Sequence, residues 1–341
     1  MDKVNKIYNK NGYVNINEVE YMLPKGRIWK KNPNKKNEIN IGIQIDPHYI
    51  YRCMMTLASI MDSQKNKTMI RFHFAVVLSF SPEHMLKIYS LRKIIRDDVE
   101  FNFYNASRVE IDLKNLNTKG PGAVAKLLLP ELLPNDINKL IVFDTGDLLV
   151  LRDLSEMYNW NMSNYLYLGQ PGGQIGKMAN ITKKIYITYI NTGSMLVNVK
   201  MVKKQKLYEK FVKYKNVYSD VNGDQNLLND IAFGKIGYLP LKFGFHTPYD
   251  SDQNSDKSFL INPYQHYFKR YEKKIFPFIP KSKTNDNLLQ SGYNQVVVHQ
   301  FKGKWMFGKG MTVYRRIAQY YIKLAGIWKD IYKEFPGYLK K

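Results

Sequence analysis

Residues Leu140 to Leu154 read LIVFDTGDLLVLRDL. The four apolar residues Leu140 to Phe143 suit an interior strand buried on both faces, where an ionised carboxylate is expensive unless paired or bound to a cation. Asp144 and Asp147 are therefore expected where the strand ends, at the rim of a sheet.

The flanking sequence supplies that sheet. Glu38 to Ile45 (EINIGIQI) is a short apolar run closed by Asp46-Pro47, and Ile50 to Met61 continues with helical spacing. Ile70 to Leu78 is the next strand, Pro82 to Ile95 the next helix and Glu100 to Tyr104 another strand; Gly122 to Leu133 is a helix leading into Leu140 to Phe143. This alternation predicts an α/β fold with a mostly parallel, Rossmann-like mixed central sheet flanked by helices. In such sheets ligands gather beyond the carboxyl ends of the strands. Asp46 and the Asp144/Asp147 pair both fall at such ends.

The second half is less regular. Tyr186 to Val199 reads as two short extended pieces around Asn191-Thr192-Gly193, Lys203 to Tyr214 as a basic helix, Asn226 to Ala232 as a short helix and Ile236 to Leu239 as a strand. Residues 246–294 are polar and rich in Tyr and Lys without a clean period, a surface excursion on the acceptor side. Val296 to Val298 is a last strand delivering His299. Val313 to Tyr332 shows one apolar helical face.

Composition narrows the classes. Fifty-two basic against 29 acidic residues give a formal net charge of +23, which suggests an anionic partner such as nucleotide phosphate, nucleic acid or an acidic membrane surface without choosing among them; scattered lysines interleaved with Asn, Ile and Tyr fit a compositional habit equally well. Neither a helix-turn-helix spacing, a zinc module nor a stacked-aromatic RNA signature is present, so no nucleic acid is expected. Cys53 is the only cysteine, which excludes an intrachain disulfide and a thiolate zinc site. Neither end carries the roughly 18 apolar residues of a membrane span, and a cytoplasmic protein is the expectation.

Two carboxylates one or two residues apart at a strand end can grip a hard cation together with diphosphate oxygens. Equally, Asp144 can cap a turn and Asp147 can pair with Arg152, and the pair alone does not decide. Five ordered segments do: INIGIQIDPHYIYRCMMTLASIM, PGAVAKLLLPELLPNDINKLIVFDTGDLLVLRDL, INTGSMLVNVK, GDQNLLNDIAFGKIGYLP and VVVHQFKGKW. In this order the chain resembles the family 8 glycosyltransferases, the retaining group that includes glycogenin and the bacterial lipopolysaccharide galactosyltransferases.

The resemblance implies a GT-A type single domain over residues 38–305, with a nucleotide-binding half at 38–150 and a donor and acceptor half at 151–305. Residues 1–37 would be a polar extension and 306–341 an amphipathic helix with a basic tail. It also implies metal-dependent transfer of a hexose, glucose or galactose, from a UDP-sugar to a glycan, lipid or protein hydroxyl, with manganese or magnesium as cofactor. The main chain of Ile43 to Ile45, with Asp46 and His48, would face uracil and ribose. Lys126 stands where the family usually has an arginine that reaches donor phosphates or sugar; without the resemblance it reads as an exposed helix lysine. Asp144, Asp147 and His299 would ligate the metal, and Thr145 would join the nucleotide contacts. Asn191 would touch the sugar, with Gly193 permitting close approach. Asp224 and Gln225 would lie beside the anomeric carbon. Lys302, Gly303 and Lys304 would meet the leaving diphosphate, Lys304 with a catalytic role.

Three departures from the family pattern stand in this sequence. Asp144-Thr145-Gly146-Asp147 is one residue longer than DxD, Tyr167 to Gly173 (YLGQPGG) offers no acid for the donor sugar, and the closing segment is shortened and lacks the usual proline. Other readings stay open: a catalytically silent GT-A fold binding an anionic polymer or membrane, a self-glucosylating initiator of glycogenin type, a homodimer, and peripheral membrane contact through the basic C-terminal helix.

Overall fold

A strand buried on both faces needs a core on each side, and the strand opened by Leu140 has them. It is β4 (Lys139–Phe143) in the computed structural model, which describes residues 37–45, 47–64, 68–76, 80–106, 122–144, 146, 148–172, 174–214, 223–246, 298–300 and 312–334. Ile141 and Phe143 join one hydrophobic cluster while Leu140 and Val142 join another. The elements before it are β1 (Asn37–Ile45), α1 (Ile50–Ser63), β2 (Thr68–Val76), α2 (Pro82–Ile94), β3 (Val99–Asn105) and α3 (Gly122–Leu132). After it come β5 (Leu148–Val150), α4 (Ser155–Tyr158), β6 (Tyr167–Pro171), β7 (Ile190–Asn198), α5 (Val199–Lys204), α6 (Leu207–Tyr214), α7 (Gly223–Ile231), β8 (Ile236–Tyr238), β9 (Phe245–His246), β10 (Val298–Gln300), α8 (Thr312–Leu324) and α9 (Trp328–Glu334).

Among the described residues the main sheet has seven strands in the order β3-β2-β1-β4-β7-β6-β8. β1 pairs in parallel with β2 and β4, β2 with β3, and β6 with β8, whereas β7 runs antiparallel to both β4 and β6. The sheet is thus mixed and mostly parallel, as predicted. A smaller sheet orders β5-β10-β9. Leu129 of α3 packs with Leu140 over Gly42, where an added Cβ would lie 2.6 Å from the ends of both leucines. The absence of a side chain on β1 lets α3 sit close to the sheet.

Three local expectations are corrected. The two extended pieces around Asn191-Thr192-Gly193 are a single strand, β7, because β4 and β6 hold its main chain from both sides. The basic helix from Lys203 divides into α5 and α6 at Lys206, whose φ is +49°. The C-terminal helix likewise divides into α8 and α9 at Gly326, whose φ is +70°. Ala318, Tyr321, Ile322 and Ile331 bury the apolar face of α8 and α9 against the cluster that includes α1. That face is used for packing, so the membrane contact suggested for this helix loses its apolar surface.

Between β2 and β3 lies a buried polar chain. His73 is 1% exposed; its Nε2 lies 2.9 Å from Asn40 Oδ1 and its Nδ1 2.9 Å from the Tyr104 hydroxyl. Asn40 Nδ2 donates to the Tyr158 hydroxyl, so its oxygen faces the ring and Nε2 carries the proton of a neutral imidazole. Burial, reinforced by Arg71, pushes the His73 pKa down to about 3. Unfolded chain takes up this proton below its ordinary value of about 6.5 and folded chain does not. The contribution is complete above pH 6.5 and is lost as pH falls toward 3, at about 1.4 kcal/mol per pH unit. Urea unfolding between pH 7 and 5 is expected to show that much additional slope relative to His73→Gln; equal slopes in the two proteins would refute it.

Candidate active site

The carboxyl end of β4 meets two helices and the antiparallel strand β7. Asp144 follows the last residue of β4, and its N–H donates to the carbonyl of Gly193 at 2.8 Å. Lys126 reaches in from α3, with Nζ 2.7 Å from Asp144 Oδ1 and 2.8 Å from Asp224 Oδ2 at the start of α7. Its side chain is 2% exposed. Burial by itself would lower the Lys126 pKa, but the two carboxylates more than offset this and hold it above the usual lysine range. Thr192 Oγ1 donates to the same oxygen of Asp224 at 3.1 Å. Two carboxylates thus share one ammonium, and Asp144 is partly open to solvent.

Gln225 is held in one orientation. Its Oε1 accepts from Asn191 Nδ2 at 3.0 Å and from the main-chain N–H of Thr192 at 3.4 Å, and its Nε2 donates to the Tyr189 hydroxyl at 3.1 Å. The Tyr189 hydroxyl passes its own proton to Asn226 Oδ1. Asn229, one turn further along α7, clamps the N–H and carbonyl of Ile190 at 2.7 and 2.8 Å. A flipped Gln225 amide would set donor against donor, so the carbonyl end stays on the side of β7.

The distant segment arrives through the small sheet. β10 pairs antiparallel with β5, placing His299 opposite Leu149 and Gln300 opposite Leu148. Gln300 thus pairs with the first residue of β5 and His299 with the second. Gln300 is 5% exposed, and its Nε2 would lie 2.0 Å from a Cβ added at Gly193. Gly193 therefore leaves its side-chain space to Gln300, while its carbonyl accepts from the Asp144 N–H. Gly146, between β4 and β5, has φ +87°, a left-handed conformation that glycine enters without strain.

The fold brings together Lys126, Asp144, Asn191, Asp224 and Gln225. Lys126 is not the exposed helix lysine of the alternative reading: it lies buried between two carboxylates that offset the cost of its burial. Ile43 and Ile45 have no side-chain exposure and can offer a ligand only main-chain atoms. His48 is exposed on the turn Pro47–Tyr49 beyond β1. Asp46, Thr145, Asp147, Lys302, Gly303 and Lys304 lie outside the described residues, as does the His299 side chain. Tyr189, Thr192, Asn229 and Gln300 had not been singled out. Thr192 and Gln300 sit in polar stretches of β7 (INTGSMLVN) and β10 (VHQ), so their burial was not marked by an apolar setting.

The arrangement can be set against known proteins. The structure of the bifunctional glycosyltransferase WbbM aligns over 89% of this chain and 52% of its own, at a TM-score of 0.63 and 15% identity. The galactosyltransferase LgtC, solved with donor and acceptor sugar analogues, aligns over 84% of this chain and 95% of its own, at a TM-score of 0.57 and 19% identity. At these identities the likeness defines a GT-A glycosyltransferase fold. In sequence, a Haemophilus influenzae protein provisionally named a glycosyltransferase is 29% identical over 205 residues, 58% of this chain and 56% of that protein. General stress protein A of Bacillus subtilis is 25% identical over 116 residues, 33% of this chain and 41% of that protein. The chain thus spans about half the length of the curated relatives it matches. Residues 40–269 match the profile of glycosyl transferase family 8, and the chain belongs to that family.

Proposed function

We propose that the protein transfers a hexose, glucose or galactose, from a UDP-sugar to an acceptor hydroxyl with retention at the anomeric carbon. The observation that carries this reading is the Asp144-Lys126-Asp224 cluster at the end of β4, beside a Gln225 amide fixed by Asn191, Thr192 and Tyr189. It occupies the carboxyl end of the sheet where parallel β1 and β4 give way to antiparallel β7, a place where α/β folds receive ligands.

Manganese or magnesium fits the donor set of Asp144, Asp147 and His299, hard oxygens with one imidazole. Two observations support the fit: Asp144 is partly open at the strand end, and β10 pairs His299 with Leu149 of β5, two residues after Asp147 in sequence. When bound, the cation would neutralise diphosphate charge as a Lewis acid. The main chain of Ile43 to Ile45, with Asp46, His48 and Thr145, would receive the nucleoside. Lys302, Gly303 and Lys304 would meet the diphosphate as charge grows on it.

Asp224 is engaged by Lys126 and Thr192 and is a poor nucleophile in that state. Same-face attack follows: the anomeric carbon to phosphate-oxygen bond breaks, the acceptor oxygen bonds to that carbon, and the acceptor proton passes to the departing diphosphate. Gln225 and Asn191 would position the sugar. Incubation with manganese and a panel of UDP-sugars is expected to release UDP from one of them and to give a product of retained configuration. Absence of both UDP release and manganese-dependent UDP binding would overturn the reading. Tyr189→Phe removes the acceptor for Gln225 Nε2 and is expected to lower kcat about tenfold with little change in donor KM, the cost of one unsatisfied polar group. An unchanged kcat would show that the orientation of the amide is immaterial.

A further inference from the structure

Three large hydrophobic side chains, Met178 at 64% exposure, Ile185 at 57% and Ile187 at 78%, are the most exposed of their kind among the described residues. All three belong to one short hairpin before β7. Met178 and Ile185 face each other across an antiparallel bridge, flanked by hydrogen bonds from Ala179 N to the Lys184 carbonyl and from Tyr186 N to the Lys177 carbonyl. This is the non-hydrogen-bonded kind of pair, in which side chains lie closest; Ile187 follows in the bend beyond it, exposed like Ile185, while Tyr186 between them is buried.

The opposite face is built in. Ala179, Tyr186 and Tyr189 are buried together with Ile175 and Phe233 packed against them. The turn is pinned from below by Asp230, which accepts from Ile181 N at 2.6 Å and Thr182 N at 3.0 Å. The hairpin therefore holds its aliphatic face outward on a fixed base. Lys177, Lys183 and Lys184 are exposed around it, and the sequence contains no Asp or Glu from Met157 to Tyr208. Apolar side chains ringed by lysine ammonium groups, with the Asp230 carboxylate buried beneath the turn and engaged by its main-chain N–H groups, match the layering of an anionic lipid surface, in which aliphatic groups enter the acyl boundary and lysines stay among the headgroups.

We infer that the hairpin of residues 174–189 docks on an anionic lipid surface. Tyr189 links its buried face to Gln225, so docking would hold the site against the headgroup layer and favour an acceptor hydroxyl carried on a membrane lipid. That last consequence rests on the transferase reading; the docking does not.

The test reads contact without turnover. Ile187→Cys is labelled with an environment-sensitive fluorophore in the full chain; Cys53, the only native cysteine, is buried and does not compete. Phosphatidylglycerol-containing vesicles are expected to brighten and blue-shift the label at position 187 but not one on the exposed Asn159→Cys. Binding to purely phosphatidylcholine vesicles should fall by roughly fivefold for each lysine engaged. Ile185→Ser with Ile187→Ser is expected to weaken vesicle binding about tenfold while leaving thermal unfolding unchanged. An unresponsive label, or vesicle binding equal to that of the unaltered protein in the double variant, would overturn the inference. So would a concentration-dependent dimer abolished by the same variant, which would give the face to a second copy. Failure of any arm leaves UDP-sugar turnover as a separate question.

Discussion

Replacing Asp144 with alanine is expected to abolish manganese-dependent UDP release and to leave the protein folded. Substitutions in the shell outside a metal ligand cost about 10–100-fold in affinity or activity, so loss of a ligand should exceed about a hundredfold. The fold survives because Lys126 keeps Asp224 at 2.8 Å, and the N–H of residue 144 still donates to Gly193, a main-chain contact indifferent to the side chain. Asp144→Asn separates charge from shape, since it preserves the volume beside Lys126 but removes the anion, and it should be nearly as inactive as alanine. Steady-state UDP release with circular dichroism as a folding control checks both. Turnover within a few-fold of the unaltered enzyme in either variant would remove Asp144 from the chemistry.

Lys126→Met is expected to have the largest effect on stability. A 2% exposed ammonium between two carboxylates is deleted, and Asp224 and Asp144 are left facing each other. Breaking a buried pair by removing one partner costs about 3–5 kcal/mol, because the remaining charge is buried without compensation. Neutralising one of the stranded acids should recover part of that loss. The double variant Lys126→Met with Asp224→Asn is therefore expected to be more stable than Lys126→Met alone, a non-additivity that urea unfolding reads directly. Strict additivity of the two substitutions would mean that the contact contributes little.

These two substitutions also mark how far the sequence could be read. The placement of Asp144 was legible, since a carboxylate cannot sit inside LIVF without a partner and so belongs at the rim. The partner was not. Nothing in the run GAVAKLLLPEL distinguishes Lys126 from an exposed helix lysine, because its burial is imposed by Asp144 and Asp224, which come 18 and 98 positions later. The strand character of β7 was obscured by Asn191-Thr192-Gly193, which resembles a turn locally but is held straight by pairing with β4 and β6. The break at Gly326 was hidden for the opposite reason: the apolar spacing continues through it, and only the φ of +70° turns α8 into α9. Non-local pairing and local backbone geometry account for what periodicity did not reveal.

The central claim is that the acid at the end of β4 and the imidazole of His299 share one divalent cation beneath a nucleotide diphosphate. Anomalous diffraction from crystals soaked with manganese and UDP tests it directly. The account expects a single manganese peak within coordination distance of the Asp144 carboxylate and His299, with UDP phosphate oxygens completing the shell. Bound UDP with no manganese peak between those residues would contradict it.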